Sequence, residues 1–391
     1  MKKLSYCLFI AISTVFAITF SSCDESSDNK EVESGYGYNF TSSINTYVDD
    51  VVLSTYKDMK EKCWNLYDAV ENFNNTPSQP NLVAVCAAWR AARIPWEQSE
   101  GFLFGPAEQL SLDPSLDSWP LDKGQIDEIL NSNMTITNTT IASSNVHGFH
   151  TIEYLIFSGE NQVADENGVN SPKDYSTINS RQRIYLQVAT EYLRNDCIKL
   201  WAAWNGSDGI TGRDLEVIEE LEFNPDTYRF ASNFRKAGEA GSTFPSQDDA
   251  IDQIIDGCID ITSEVGSQKI GGPNGLAKAG KIDQAILEVE SWYSWNSIDD
   301  YSNNIVSIRN SYFGGKGKTS TNASANSISA FVKSKNSSLD AEVTTAIDKA
   351  YNSIISMDRP FRNNLTGAKV DAAMEACADL ETTLAKIKNL R

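Results

Sequence analysis

The chain has 391 residues, with 53 acidic against 33 basic side chains, a formal net charge of -20 and only two histidines. This balance argues against nucleic acid as a partner and against electrostatic adsorption on anionic lipid, because both need a basic face. Beyond the N-terminal segments about 350 residues remain, enough for two ordinary domains with sizeable cores.

Met1-Lys2-Lys3 is a basic start to an apolar run from Leu4 to Phe20 that is too short and wrongly flanked for a membrane span, so residues 1–22 are expected to be a secretory signal. Phe20-Ser21-Ser22-Cys23 resembles the lipobox of bacterial lipoproteins. That resemblance implies lipidation at Cys23 and a protein exported and anchored to the cell envelope, at the periplasmic or the surface face of the outer membrane. Residues 23–37 are acidic and Ser-rich with almost no apolar side chains, which predicts a flexible tether.

From Ser43 to Phe73 apolar residues recur in alternating steps of three and four, at Val48, Val52, Tyr56, Met59, Cys63, Leu66, Val70 and Phe73, which predicts one long amphipathic helix. A Pro-containing break at 74–80 precedes a second helix with Leu82, Val85, Trp89, Ala92, Trp96 and Leu103 on one face and Pro95 placed to kink it. Its flank carries Arg90, Arg93, Glu97 and Glu100. Carboxylates in the last turns of a helix oppose its dipole, and the neighbouring tryptophans imply burial, so Glu97 and Glu100 are candidate cation ligands. The plain alternative is a solvated charged face with an Arg93–Glu97 pair.

Residues 113–120 read as loop, 124–131 as a short helix, and the Thr-rich stretch 135–140 as loop for want of a hairpin partner. Long helices follow over 179–205 and 246–269, then 281–292, 300–312, 325–333, 339–357 and 367–390. Short loops between long helices imply antiparallel packing, and the expected architecture is all-α, with one helical bundle over 38–207 and a second over 208–391. Glu97 precedes Gly105-Pro106 with the spacing that Glu264 has before Gly272-Pro273, which suggests an internal duplication ending each helix in Gly-Pro. The five cysteines beyond Cys23 form no Cys-x-x-Cys pair and read as core residues, with one long-range disulfide left open.

Both histidines lie in Val146-His147-Gly148-Phe149-His150-Thr151-Ile152-Glu153, read as a helix capped by Ser143, Ser144 or Asn145 and stopped at Gly159. His150 and Glu153 share a helical face at i, i+3, the arrangement that metal sites in helical bundles use. His147 falls on the same face, with Gly148 able to bend the helix start. A glycine in the first turn costs about 1 kcal/mol against alanine, so Gly148 marks a close backbone approach or a functional constraint.

Gly148-x-His150-x-x-Glu153, together with the upstream block from Ala88 to Arg93 and Trp96 to Pro106, resembles the imelysin-like proteins. The resemblance spans essentially the whole exported portion. It implies an all-helical exported protein tied to bacterial iron uptake, in a family historically classed with metallopeptidases, with both blocks lining a cleft near the domain interface. Carried onto this sequence, the site residues are His150, Glu153, Glu97 and Glu100, supported by Arg93, Trp96 and Gly148.

Three functions are weighed. The first is binding of a divalent or ferric metal, iron favoured over zinc, or of a metal complex, passed to an iron-uptake partner at the membrane; imidazole with carboxylate oxygens suits these ions. The second is a metal-dependent endopeptidase, for which the His-Glu-x-x-His spacing is lacking. The third is a non-catalytic helical scaffold in which His150, Glu153 and Arg93 form a structural network.

Overall fold

A computed structural model describes residues 35–158 and 168–391, and the secretory signal, Cys23, most of the tether and the expected helix stop at Gly159 lie outside the described residues. In chain order the α-helices are α1 (Thr41–Thr46), α2 (Ser54–Asn75), α3 (Gln79–Glu97), α4 (Pro106–Gln109), α5 (Leu112–Asp117), α6 (Lys123–Asn131), α7 (Gly148–Ile156) and α8 (Ser180–Asn205). There follow α9 (Arg213–Glu220), α10 (Phe230–Arg235), α11 (Gln247–Glu264), α12 (Gly271–Lys278), α13 (Ile282–Leu287), α14 (Ser297–Phe313), α15 (Ile328–Lys335), α16 (Ser337–Ile355) and α17 (Ala368–Ala385). The described residues contain no strand beyond one isolated bridge, Phe157 to Pro172, so the all-α expectation holds.

The first long helix forms where its periodicity places it, running through α1, a π-helical segment Tyr47–Leu53 and α2. Its stripe of Tyr56, Met59, Cys63, Leu66, Val70 and Phe73 is fully buried, against α3 and α8. Each large apolar side chain withdrawn this way contributes on the order of 2 kcal/mol before chain entropy is charged. Ser78 caps α3 by accepting from Asn81 N, and Asn179 and Gln182 form a reciprocal capping box at the start of α8.

All five of these cysteines are buried, and the Cys63 and Cys197 sulfurs lie 3.1 Å apart between α2 and α8. Within the stretch expected as tether, up to residue 37, Tyr36 is already packed against the body of the fold. Tyr36 is buried, its N–H donating to Asp248 and its hydroxyl to Asp252 at 2.7 Å.

Three departures from the sequence expectation matter for the site. Residues 113–120 are not wholly loop, because α5 carries Asp117 at its last position. The helix expected to end at Gly271-Gly272-Pro273 continues instead through a π-helical segment, Val265–Ile270, into α12. Pro273 follows directly on that π-helical segment, as the third residue of α12. The helix expected over 281–292 stops at Leu287, and residues 288–296 form irregular turns with Ser291 and Trp295 at positive φ. Those turns, the π-helical segment, α3, α5, α7 and α14 surround one buried polar centre.

Candidate metal centre

α3 brings Arg93 and Glu97 to the centre on one face, both fully buried. Four carboxylates share the Arg93 guanidinium: Glu97 and Asp117 in very short contacts, Glu290 at 2.9 Å and Asp300 at 3.3 Å. Trp96 donates its indole N–H to the second oxygen of Asp117 at 2.6 Å, and Asn304 on α14 donates to Glu97 Oε2, also at 2.6 Å. Asp300 accepts from Asn296 at 2.7 Å and from Ser291.

α7 enters from another side. It does not start at Val146 with a Ser or Asn cap. His147 is itself the N-cap residue, in an extended conformation, and Gly148 has φ +82°. A Cβ on Gly148 would stand 2.5 Å from Leu116 O and 2.8 Å from Ser115 O. The glycine therefore lets the start of α7 rest directly on the backbone of α5, which is what brings His150 to Asp117. This geometry also separates the two histidines. His147 Nδ1 is 2.7 Å from Ile141 O, its Nε2 is 2.9 Å from Ser115 Oγ, and its ring stacks on Tyr192, away from the centre.

His150 points into the centre and is fully buried. Its Nδ1 is 2.9 Å from Glu153 Oε2, and Glu153 Oε1 accepts from Ser294 N at 2.7 Å. With both carboxylate oxygens engaged, Glu153 orients the ring and fixes which nitrogen faces forward. The forward atom, Nε2, is buried and forms an ion pair with Asp117 Oδ1 at 3.0 Å, with Glu290 Oε1 at 3.9 Å. Trp119 closes over the ring with centroids 4.8 Å apart.

Lys269, from the π-helical segment, adds a second cation 3.0 Å from Glu290, with Glu100 at 3.7 Å and Glu264 at 3.9 Å. π turns inside α-helices are frequent at functional sites, and here the extra residue turns a lysine inward. A cavity of about 270 Å³ opens on this side, lined by Glu100, Asp113, Asp117, Trp119, Lys269 and Glu290 among others.

The electrostatics follow from too many carboxylates for the cations present. Burial raises Glu97 well above the usual carboxylate range, and Arg93, shared among four acids, does not reverse it. Glu100 is raised in the same way by burial, against the pull of Lys269. Asp117 is held below that range although burial opposes it, because Arg93 and His150 both face it. Burial alone would lower His150, but the Asp117 charge and hydrogen bonding to Asp117 and Glu153 outweigh it and bring it up to about 10.

Three sets of one donor atom per residue lie within 4.8 Å of one another: Asp117, His150 and Glu290; Glu97, Glu290 and Asp300; and Glu97, Glu100 and Asp117. The first combines an imidazole nitrogen with two carboxylate oxygens, a donor set that fits iron or zinc. Of the residues expected from the sequence, His150, Glu153, Glu97, Arg93, Trp96 and Gly148 meet at the centre. Glu100 stands at its edge beside Lys269.

Asp117, Glu290, Lys269, Asp300, Trp119 and Ser294 were not foreseen. Asp117 and Trp119 lie in a segment expected as loop, and Glu290 lies in the helix expected over 281–292. The run Glu288-Val-Glu290-Ser-Trp-Tyr-Ser-Trp295 does contain a signal. It places a carboxylate among aromatics at no helical spacing, which is unusual for a surface helix.

The fold and the site together define an all-helical protein built round a buried histidine–carboxylate centre. A family model described as Imelysin matches residues 52–387, and the chain belongs to that family. It is 25% identical over 346 residues to iron-regulated protein A of Synechococcus elongatus, covering 88% of this chain and 84% of that one. A crystal structure from Parabacteroides distasonis, provisionally described as an iron-regulated protein A precursor, is 36% identical. It superposes with a TM-score of 0.77 over 90% of this chain and 94% of that one. An imelysin-like protein from Psychrobacter arcticum, 16% identical, shares the fold with a TM-score of 0.57 over 90% of this chain and 92% of that one.

Proposed function

We propose that the protein binds a metal ion, iron in preference to zinc, through His150 Nε2, Asp117 and Glu290, in a cleft whose walls are the bundles before and after residue 207. The observation that carries this reading is the buried His150 Nε2 facing the oxygens of both Asp117 and Glu290, in a centre with more carboxylates than cations. A metal cation there would take the place of the ring proton between His150 and Asp117 and neutralise more of the surplus of acids than that proton does. Glu97 and Glu100 then extend the acidic lining, Glu153 orients His150, and Arg93 holds the carboxylates apart.

Relatives named as iron-regulated proteins support an iron-related role, and the lipobox-like Cys23 supports an envelope lipoprotein that passes its cargo to a membrane partner in iron uptake. Endopeptidase chemistry would need a free carboxylate base beside the metal, and Glu153 has both oxygens engaged.

The test is metal content and metal-dependent melting of the purified protein beside His150→Ala, Asp117→Asn and Glu97→Ala. The expected result is about one equivalent of iron or zinc that raises the melting temperature of the wild type and is lost in His150→Ala. No metal-dependent stabilisation in any form, with variants merely less stable, would return the centre to a structural network.

A further inference from the structure

Trp119, which covers His150, also lines a second and larger cavity of about 760 Å³, within the size range of small-molecule sites. Its walls are aromatic. Trp292 and Tyr293 stack at 4.0 Å, and Tyr293 packs on Tyr154 at 5.2 Å and on Trp119 at 6.4 Å, with Phe157 completing the lining. Two lysines face these rings, Lys173 at 4.9 Å and Lys123 at 5.5 Å from the Tyr154 centroid.

Lys173 is the anomaly. In a chain with 53 acidic side chains, the other deeply placed lysines each hold a carboxylate: Lys60 pairs with Asp214 at 2.5 Å and Lys269 with Glu290 at 3.0 Å. Lys123 pairs with Asp127. Among the described residues Lys173 donates to the backbone oxygen of Tyr154, at 2.6 Å, and to no carboxylate, which leaves donor capacity unused. Burial draws its amine down to about 8, and the Asp127 charge, already bonded to Lys123 and Tyr154, does not reverse it. The carboxylates on the lining, Asp122 and Glu288, are exposed.

Aromatic walls can hold either a flat ring or a cation. Here the cationic partner of Tyr154 is already supplied by the protein, so the missing charge is negative. We propose that this cavity binds a planar aromatic carboxylate, with its ring among Tyr154, Trp292 and Tyr293 and its anionic oxygens on the Lys173 ammonium. The site does not depend on a metal at His150, and it stands or falls separately from that reading.

The experiment is isothermal titration calorimetry of the purified full-length protein with 2-naphthoate and its neutral twin 2-naphthamide, in metal-free buffer. The expected result is that naphthoate binds at least ten times more tightly than naphthamide. Lys173→Met removes that advantage and leaves the amide affinity in place, Lys173→Arg keeps most of it, and Trp292→Ala weakens both ligands. Equal affinity for acid and amide, no effect of Lys173→Met in a variant that melts like the wild type, or no binding of either probe into the millimolar range would overturn the proposal.

Discussion

The two histidines stand three residues apart at the head of one helix, and their surroundings are opposite. His147 is packed against Tyr192 and bonded to a carbonyl and a serine, and burial lowers its affinity for a proton. His150 faces Asp117 and Glu290, with Glu153 behind it, and is raised to about 10. Burial acts on both in the same direction, so the carboxylates in view decide the difference. The comparison teaches that a short motif does not carry its chemistry alone: His150 becomes a candidate ligand only because Gly148 seats the helix against α5 and the 288–296 turns deliver Glu290.

The largest effect is expected from Arg93→Ala, which leaves four buried carboxylates without their shared cation. Removing one partner of a buried ion pair costs about 3–5 kcal/mol, and chemical denaturation should register a loss of that order, with little change around His147. Gly148→Ala should cost about 2 kcal/mol, because a side chain at positive φ is strained and the added Cβ meets the α5 backbone. It should also weaken metal binding by displacing His150, whereas the same change at exposed Gly212, with open space around its Cβ position, should leave metal binding alone.

Glu153→Gln keeps the shape of the orienting residue and removes its charge. Metal affinity should fall about 10–100-fold, as for other residues that steady a ligand, while His147→Gln leaves it within about twofold; titration calorimetry compares them. The smallest effects are in pH dependence, where the two histidines have opposite signs. Because His150 sits above its ordinary 6.5, its contribution to metal-free stability is fully present below that pH and is lost as pH rises through about 10. Because His147 sits below 6.5, its contribution is present above that pH and is lost as pH falls through its folded value. Melting temperatures across pH should therefore lose their alkaline decline in His150→Gln and part of their acid decline in His147→Gln.

Much of the fold was legible in the sequence because long helices repeat their signal many times. The stripe from Val48 to Phe73 and the helix over 179–205 each needed only local rules. The centre was half legible. His150, Glu153, Arg93 and Glu97 lie in helices whose spacing sets a shared face, and Gly148 stood out through its conformational cost. Asp117, Glu290 and Lys269 were hidden for physical reasons. Asp117 ends a helix of barely two turns, Glu290 sits where positive-φ turns replace an expected helix, and a π turn rotates Lys269 inward. Irregular backbone has no period, and only tertiary packing decides where its side chains go.

The central claim is that a cation sits between His150, Asp117 and Glu290, and the most direct test is anomalous diffraction at the iron and zinc absorption edges from crystals grown with each metal. The account predicts one strong peak about 2.0–2.2 Å from His150 Nε2 and from the nearest oxygens of Asp117 and Glu290. A map with no peak there, or with the only peak among exposed carboxylates elsewhere, would contradict it.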